Sequence, residues 1–216
     1  LYLEDLSDFI VSCVDPHFGF SRYAEKLGRS ANSFDDLQAE LDLEPTYIDA
    51  VSWSLLEQVI EEQKPKLICF SVPFPGNLYS AFRMAQHIKI HFPIIKIAMG
   101  GGFPNTELRS LKEKKVFNYF DFITLDDGEL PIELVYASLE NNKGDFKRTF
   151  ILENNKVIYK NTSFLPDYKQ TQVGTPDYSD LFLNKYISVI EVANPMHSLW
   201  SDGRWNKLTM AHGCYW

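Results

Sequence analysis

"KLICFSVPFPGNLYSAFRMAQHIKIHFPIIKIAMGGGFPN", Lys66 to Asn105, decides the fold. It opens on a short unbroken apolar run, Lys66 to Val72, the pattern of a strand buried on both faces. "PFPGN" breaks the run. The segment after it repeats apolar residues at helical spacing: Leu78, Ala81, Phe82, Ala85 and Ile88 share one face. Asn77 stands where a helix cap belongs, and Pro93 where the helix must stop. "IIKIAM", Ile94 to Met99, is a second buried strand, ended by three glycines. Strand, loop, helix, strand is the unit from which parallel sheets are built.

Downstream the unit recurs. "NTELRSLKEK" is a short helix and "YFDFITL", Tyr119 to Leu125, a third strand. "DDGE" breaks it, and "LPIELVYASLEN" is a helix with Pro131 in its first turn. The repetition predicts an α/β domain over residues 66–145: a doubly wound parallel sheet of flavodoxin- or Rossmann-like type. A hairpin around Asn154-Asn155 and a Pro-, Thr- and Asp-rich linker fill residues 146–185. In residues 186–216, "KYISVIEV" and the start of "WNKLTMAHGCYW" read as further strands.

Upstream, residues 1–65 read as helical. Ser33 is a candidate N-cap for "SFDDLQAEL". "AVSWSLLEQVIEEQ" sets Val51, Leu55 and Val59 together with Leu56 and Ile60 on an inward face, with Glu57, Glu61 and Glu62 elsewhere. Lys64-Pro65 ends that helix.

The charge is uneven. The 216 residues carry a net charge of −8, and residues 1–65 hold 14 Asp and Glu against 4 Lys and Arg. Such a chain is a poor nucleic-acid binder, because phosphates require clustered cations. No stretch approaches the roughly 20 apolar residues of a membrane span, so no membrane partner is expected. The three cysteines, Cys13, Cys69 and Cys214, are odd in number and far apart, which argues against a disulfide framework and for a cytoplasmic, reducing compartment. The chain opens at Leu1 without a signal-peptide pattern or a Met, as an excised or processed piece would.

Three unusual loops, "SVPFPGN", "GGGFPN" and "LDDGE", follow the three strands. In a parallel sheet all three lie at the carboxyl edge, where ligands bind. The candidate site is therefore Ser71, Val72, Pro73 and Gly76 from the first loop, Gly100, Gly101 and Gly102 from the second, and Asp126, Asp127, Gly128 and Glu129 from the third. Glycines there leave peptide N–H groups bare beside a helix start. "GGGFPN" has Asn105 where a G-x-G-x-x-G nicotinamide loop has its last glycine. Asp127 and Glu129 are better placed to cap the next helix than to bind Mg²⁺. His87 and His91 have the spacing of a metal pair but no third ligand. No nucleophilic triad or dyad can be assembled, so no catalytic residue is named.

"FSVPFPGNLYSAFRMAQHIK", "AMGGGFPNTELR", "FDFITLDDGELPIELV" and the exit "TPDYSDL … NPMHSLWSDGRWNKLTMAHGCYW" resemble the cobalamin-binding domain of cobalamin-dependent radical SAM proteins. The resemblance covers roughly residues 66 to 216. It implies that Ser71 faces the corrin or its nucleotide tail, that Gly100 and Gly101 let the tail lie beside the sheet, and that Asp126 to Glu129 line the pocket's edge. It also implies that Cys214 is the first ligand of a [4Fe–4S] cluster in a longer parent chain, where S-adenosylmethionine would bind. The partner is then the radical SAM barrel of that same parent. Two departures stand out: the two strands that normally open the domain are not evident before Lys66, and the Asp-x-His-x-x-Gly motif of the cobalamin-ligating subfamily is absent. Either the sheet is incomplete or residues 1–65 replace those strands.

The expectation is a cobalamin-holding domain serving radical-based methyl transfer or rearrangement, not catalytic by itself. The alternatives are a nucleotide- or flavin-binding domain and an interaction module without cofactor.

Overall fold

The computed structural model describes residues 2–19, 34–141, 144–175, 177 and 179. The predicted cap Ser33, the strands expected in residues 186–216 and Cys214 lie outside them. Two compact units divide the chain, Leu1–Asp167 and Tyr168–Trp216. In the second, the described structure is a short exposed helical segment.

The first unit is α/β. In chain order its elements are α1 (Tyr2–Cys13), α2 (Phe34–Leu41), α3 (Tyr47–Gln63), β1 (Leu67–Ser71), α4 (Leu78–His91), β2 (Lys96–Gly100), α5 (Gly102–Glu107), β3 (Phe122–Thr124), α6 (Glu129–Asn141), β4 (Thr149–Glu153) and β5 (Lys156–Lys160). The helical segment of the second unit is α7 (Gln170–Val173).

The sheet runs β1-β2-β3-β4-β5. β1, β2 and β3 are parallel, with Leu67 opposite Lys96, Ser71 opposite Gly100 and Ala98 opposite Phe122. β4 pairs antiparallel with β3, and β5 antiparallel with β4. The sheet is thus mixed, where an all-parallel one was expected. β4 and β5 form a hairpin whose turn, Asn154-Asn155, takes φ of 50° and 58° at its two residues. Positive φ at both centres is the type I′ geometry that closes a tight hairpin. The hairpin belongs to the same sheet rather than to a separate appendage.

One face of the sheet packs Ile97, Met99 and Ile123 against Phe82, Ala85 and Ile88 of α4, as the helical spacing predicts. Aromatic rings thicken this core: Phe82 meets Phe120 edge-on at 4.9 Å and Tyr119 at 5.1 Å. The opposite face buries Ala98, Thr124 and Thr149, and α6 packs on β3. Among the described residues no helix is long and apolar enough to cross a membrane.

α3 differs from expectation. Thr46 caps it, its hydroxyl accepting from the Asp49 amide while the Asp49 carboxylate accepts from the Thr46 amide. The inward side is Asp49, Trp53, Leu56 and Ile60; Val51, Leu55 and Val59 are exposed. Apolar residues lie nearly all round this helix, so periodicity alone could not orient it. Polar contacts do. Buried Arg83 of α4 pairs with buried Asp49 at 3.3 Å. Its guanidinium also donates to Tyr79 Oη and to the carbonyls of Glu40, Leu41 and Leu43 at the end of α2. One cation thereby satisfies the orphan carbonyls of one helix and ties it to two others.

Candidate functional site

The carboxyl ends of β1, β2 and β3 bring the three predicted loops together. Parallel register puts Ser71 beside Gly100, and the ladder continues into the loops: the Val72 amide donates to the Gly100 carbonyl at 2.8 Å, and the Phe103 amide to the Val72 carbonyl at 2.9 Å. The third loop is joined through Asn105, whose Oδ1 accepts from the Asp126 amide at 2.6 Å. Ser71 and Pro73 are exposed, while Val72 and Gly76 are buried. Gly102, Asp126, Asp127 and Glu129 are exposed; Gly100, Gly101 and Gly128 are half-buried.

The glycines have a cause inside the protein. A Cβ on Gly101 would lie 2.8 Å from the Val72 nitrogen and 2.9 Å from its carbonyl oxygen, and the residue has φ of +103°. A Cβ on Gly102 would lie 2.6 Å from the Pro73 carbonyl, and one on Gly100 would lie 2.8 Å from Thr124 Oγ1. The backbone of the first loop therefore fills the space beside Gly101 and Gly102, and the Thr124 hydroxyl the space beside Gly100. The helix that follows, α5, has only six residues, and the amide of Phe103 in its first turn is already engaged by Val72.

The acidic loop is similarly occupied. Asp126 takes φ of 61°, a left-handed conformation that Asp tolerates. Its carboxylate is bonded by Arg109 and lies 3.6 Å from Arg148 Nε. Arg148 donates to the carbonyls of Leu125 and Asp127, and grips Asp167 with two bonds of 2.7 and 2.9 Å. That pairing holds the Asp167 carboxyl below its ordinary 3.8. Glu129 is the first residue of α6, where its charge suits the helix dipole. No group of three or more His, Cys, Asp or Glu that could hold a metal occurs among the described residues. The His87 and His91 rings lie tilted with centroids 4.3 Å apart, and His87 bonds Glu57 at 2.7 Å and stacks on Trp53. Asn77 sits at the start of α4 without a side-chain cap bond.

Arg109, Asn105 and Arg148 clasp the loops, and no local pattern in the chain announces it. Arg148 belongs to the hairpin, far from the loops in the chain, and only β3–β4 pairing delivers it. Two cavities are described. One, about 550 Å³, lies between the end of α3 and the α4–β2 connection, lined by Ile60, Lys64, Phe92 and Ile94 among others. The other, about 790 Å³, lies between α6 and the hairpin, lined by Phe122, Leu139, Phe146 and Ile151 among others. Neither is lined by a residue predicted for the site.

What this edge offers a ligand is a short exposed ledge: the Ser71 hydroxyl, the Pro73 ring and the bare backbone of Gly102. Compared with protein-family models, with curated proteins and with solved structures, the chain matches none.

Proposed function

We propose that this chain is a doubly wound cobalamin-binding domain, with the ligand received on the ledge of Ser71, Pro73 and Gly102. The observation that carries the reading is the meeting of three loops at the carboxyl edge of β1, β2 and β3, the position where such sheets take their ligands. The specific cofactor rests on the sequence resemblance. The residues fit it in part. Ser71 and Pro73 are exposed at a strand end and suit a bulky group laid on the sheet edge. Gly101 does not offer a cradle, because Val72 occupies its open side.

The corrin cobalt, when bound, would carry the methyl group or the electron of a radical reaction. This chain's own groups bind and orient. The Ser71 hydroxyl supplies one hydrogen bond, Pro73 a rigid wall, and the glycine loop the close approach of two strand ends that keeps both in register. The parent protein's radical SAM barrel would supply the S-adenosylmethionine and [4Fe–4S] chemistry, with Cys214 among the cluster ligands.

A titration with hydroxocobalamin, followed by corrin absorption and melting temperature, tests the reading. A ligand specific for the folded state raises its stability. The expected result is a shifted corrin spectrum and a higher melting temperature, both lost in Ser71→Trp, whose exposed position leaves the apo fold intact. Gly101→Val is the wrong probe, since it collides with Val72 whether or not a ligand binds. Absence of both signals sinks the reading. In that case the interaction-module alternative gains, because the acidic loop and the Phe103 amide in the first turn of α5 are already paired internally.

A further inference from the structure

We propose that the β1 edge of the sheet is an acceptor for an extended strand of a partner polypeptide, rich in apolar β-formers and at least five residues long. The groups involved are β1's own backbone N–H and C=O groups, whether or not a cofactor binds elsewhere. Among the described residues the sheet has two edges, β1 and β5. β5 is guarded: it begins with Lys156 and ends with Lys160, and charges on an edge strand discourage pairing. β1, Leu67-Ile68-Cys69-Phe70-Ser71, contains no charge, no proline and no glycine. Among the described residues nothing pairs with it on the side away from β2. The adjacent Lys66 is drawn off to Glu140 of α6 at 2.8 Å.

The hydrogen-bond phase says which groups are offered. The Lys66 carbonyl accepts from Lys96 and the Val72 amide donates to Gly100. In a parallel ladder alternate residues bond one neighbour, so the even-numbered residues face β2. Leu67, Cys69 and Ser71 aim their N–H and C=O groups outward. Burial agrees with a strand built for two neighbours and given one. Its neighbour β2 has Ile97, Ala98 and Met99 at 0% exposure, whereas the equally apolar β1 has Cys69 and Ser71 exposed and Ile68 and Phe70 half-exposed. A continuous apolar run in a parallel sheet is the pattern of an interior strand, and an added strand is the occupant whose backbone matches the unpaired row.

Amide exchange on the 216-residue chain tests this by nuclear magnetic resonance. The free chain should protect Ile68, Phe70 and Val72 and leave Leu67, Cys69 and Ser71 in fast exchange. The probe is the synthetic peptide Lys-Val-Ile-Val-Ile-Val-Lys. Its addition should slow the three outward amides by about tenfold or more. A twin peptide N-methylated at alternate residues, unable to extend a ladder, should do nothing. Cys69→Lys, which sets a charge on the edge at an exposed position, should abolish the effect without lowering the melting temperature. Protection of the outward amides in the free monomer would overturn the proposal, because the chain would already cover its own edge. So would equal binding of the methylated twin, absence of any response to the peptide, or a concentration-dependent dimer, in which a second copy is the occupant.

Discussion

Two arginines organise the first unit, and what differs is the setting of their carboxylate partners: Asp49 is buried and Asp167 exposed. Arg83 is 3% exposed and bonds Tyr79, Gln86 and three backbone carbonyls while pairing with an equally buried Asp49. Arg148 sits at the surface rim of the sheet, bonding two loop carbonyls and the exposed Asp167. The chemistry is the same, a guanidinium fork over oxygens. In the first case a substitution leaves a buried carboxylate without its cation. In the second, water can reach the Asp167 carboxylate and replace its two bonds. The buried arginine therefore governs whether the helices assemble, and the rim arginine governs how the loops of the candidate site are held.

The largest effect should come from Arg83→Met. It takes the buried cation from the Asp49 carboxylate and a donor from the carbonyls of Glu40 and Leu43, and should cost about 3–5 kcal/mol in a denaturant titration. A loss under 1 kcal/mol would erase the distinction between the two arginines. Next is Gly101→Ala, where a positive φ and a Cβ 2.8 Å from Val72 coincide; about 2–4 kcal/mol should be lost, with or without added cobalamin. A purely ligand-facing glycine would show no loss in the apo chain.

The buried hub also has a pH signature. Tyr79, whose hydroxyl donates to Asp49 at 3.0 Å, has its pKa pushed up to about 12, chiefly by burial. The folded state holds the neutral phenol where the unfolded chain, near 10, would ionise. Stability from this group is complete below pH 10 and declines as pH rises to about 12, by roughly 2–3 kcal/mol. The offset between the denaturation midpoints of the wild type and Tyr79→Phe should be constant below pH 10, change between pH 10 and about 12, and be constant again above that. The smallest effect belongs to the rim: Arg148→Met should cost under about 1 kcal/mol globally yet speed amide exchange at Leu125 and Asp126. Acid should mimic it. Asp167 is held low by Arg148, so its contribution is present above pH 3.8 and is lost as pH falls through its lowered value.

Much of the strand and helix order was legible. The apolar runs gave β1 and β2 within a residue or two of Leu67–Ser71 and Lys96–Gly100, and the period of 3.6 gave α4 with its buried face. The Asn-Asn turn was legible because its conformational demand is local. The face of α3 was not. Val51, Leu55 and Val59 look like a core stripe, yet the inward side carries Asp49 and Trp53. A buried ion pair is invisible to a hydrophobicity pattern, since each partner taken alone reads as surface.

By itself, then, the chain's sequence determined the alternation of elements, the gathering of three loops at one sheet edge and the hairpin turn, because all of these follow from local conformational preference and from the geometry of parallel strands. Only the tertiary structure decided that the hairpin joins the sheet antiparallel, that Arg83 binds three helices, that Arg148 crosses over to clasp the acidic loop, and that Val72 fills the space beside Gly101. Each of those brings together residues distant in the chain, and no local preference records which distant group will arrive to meet a glycine, a carboxylate or a helix end.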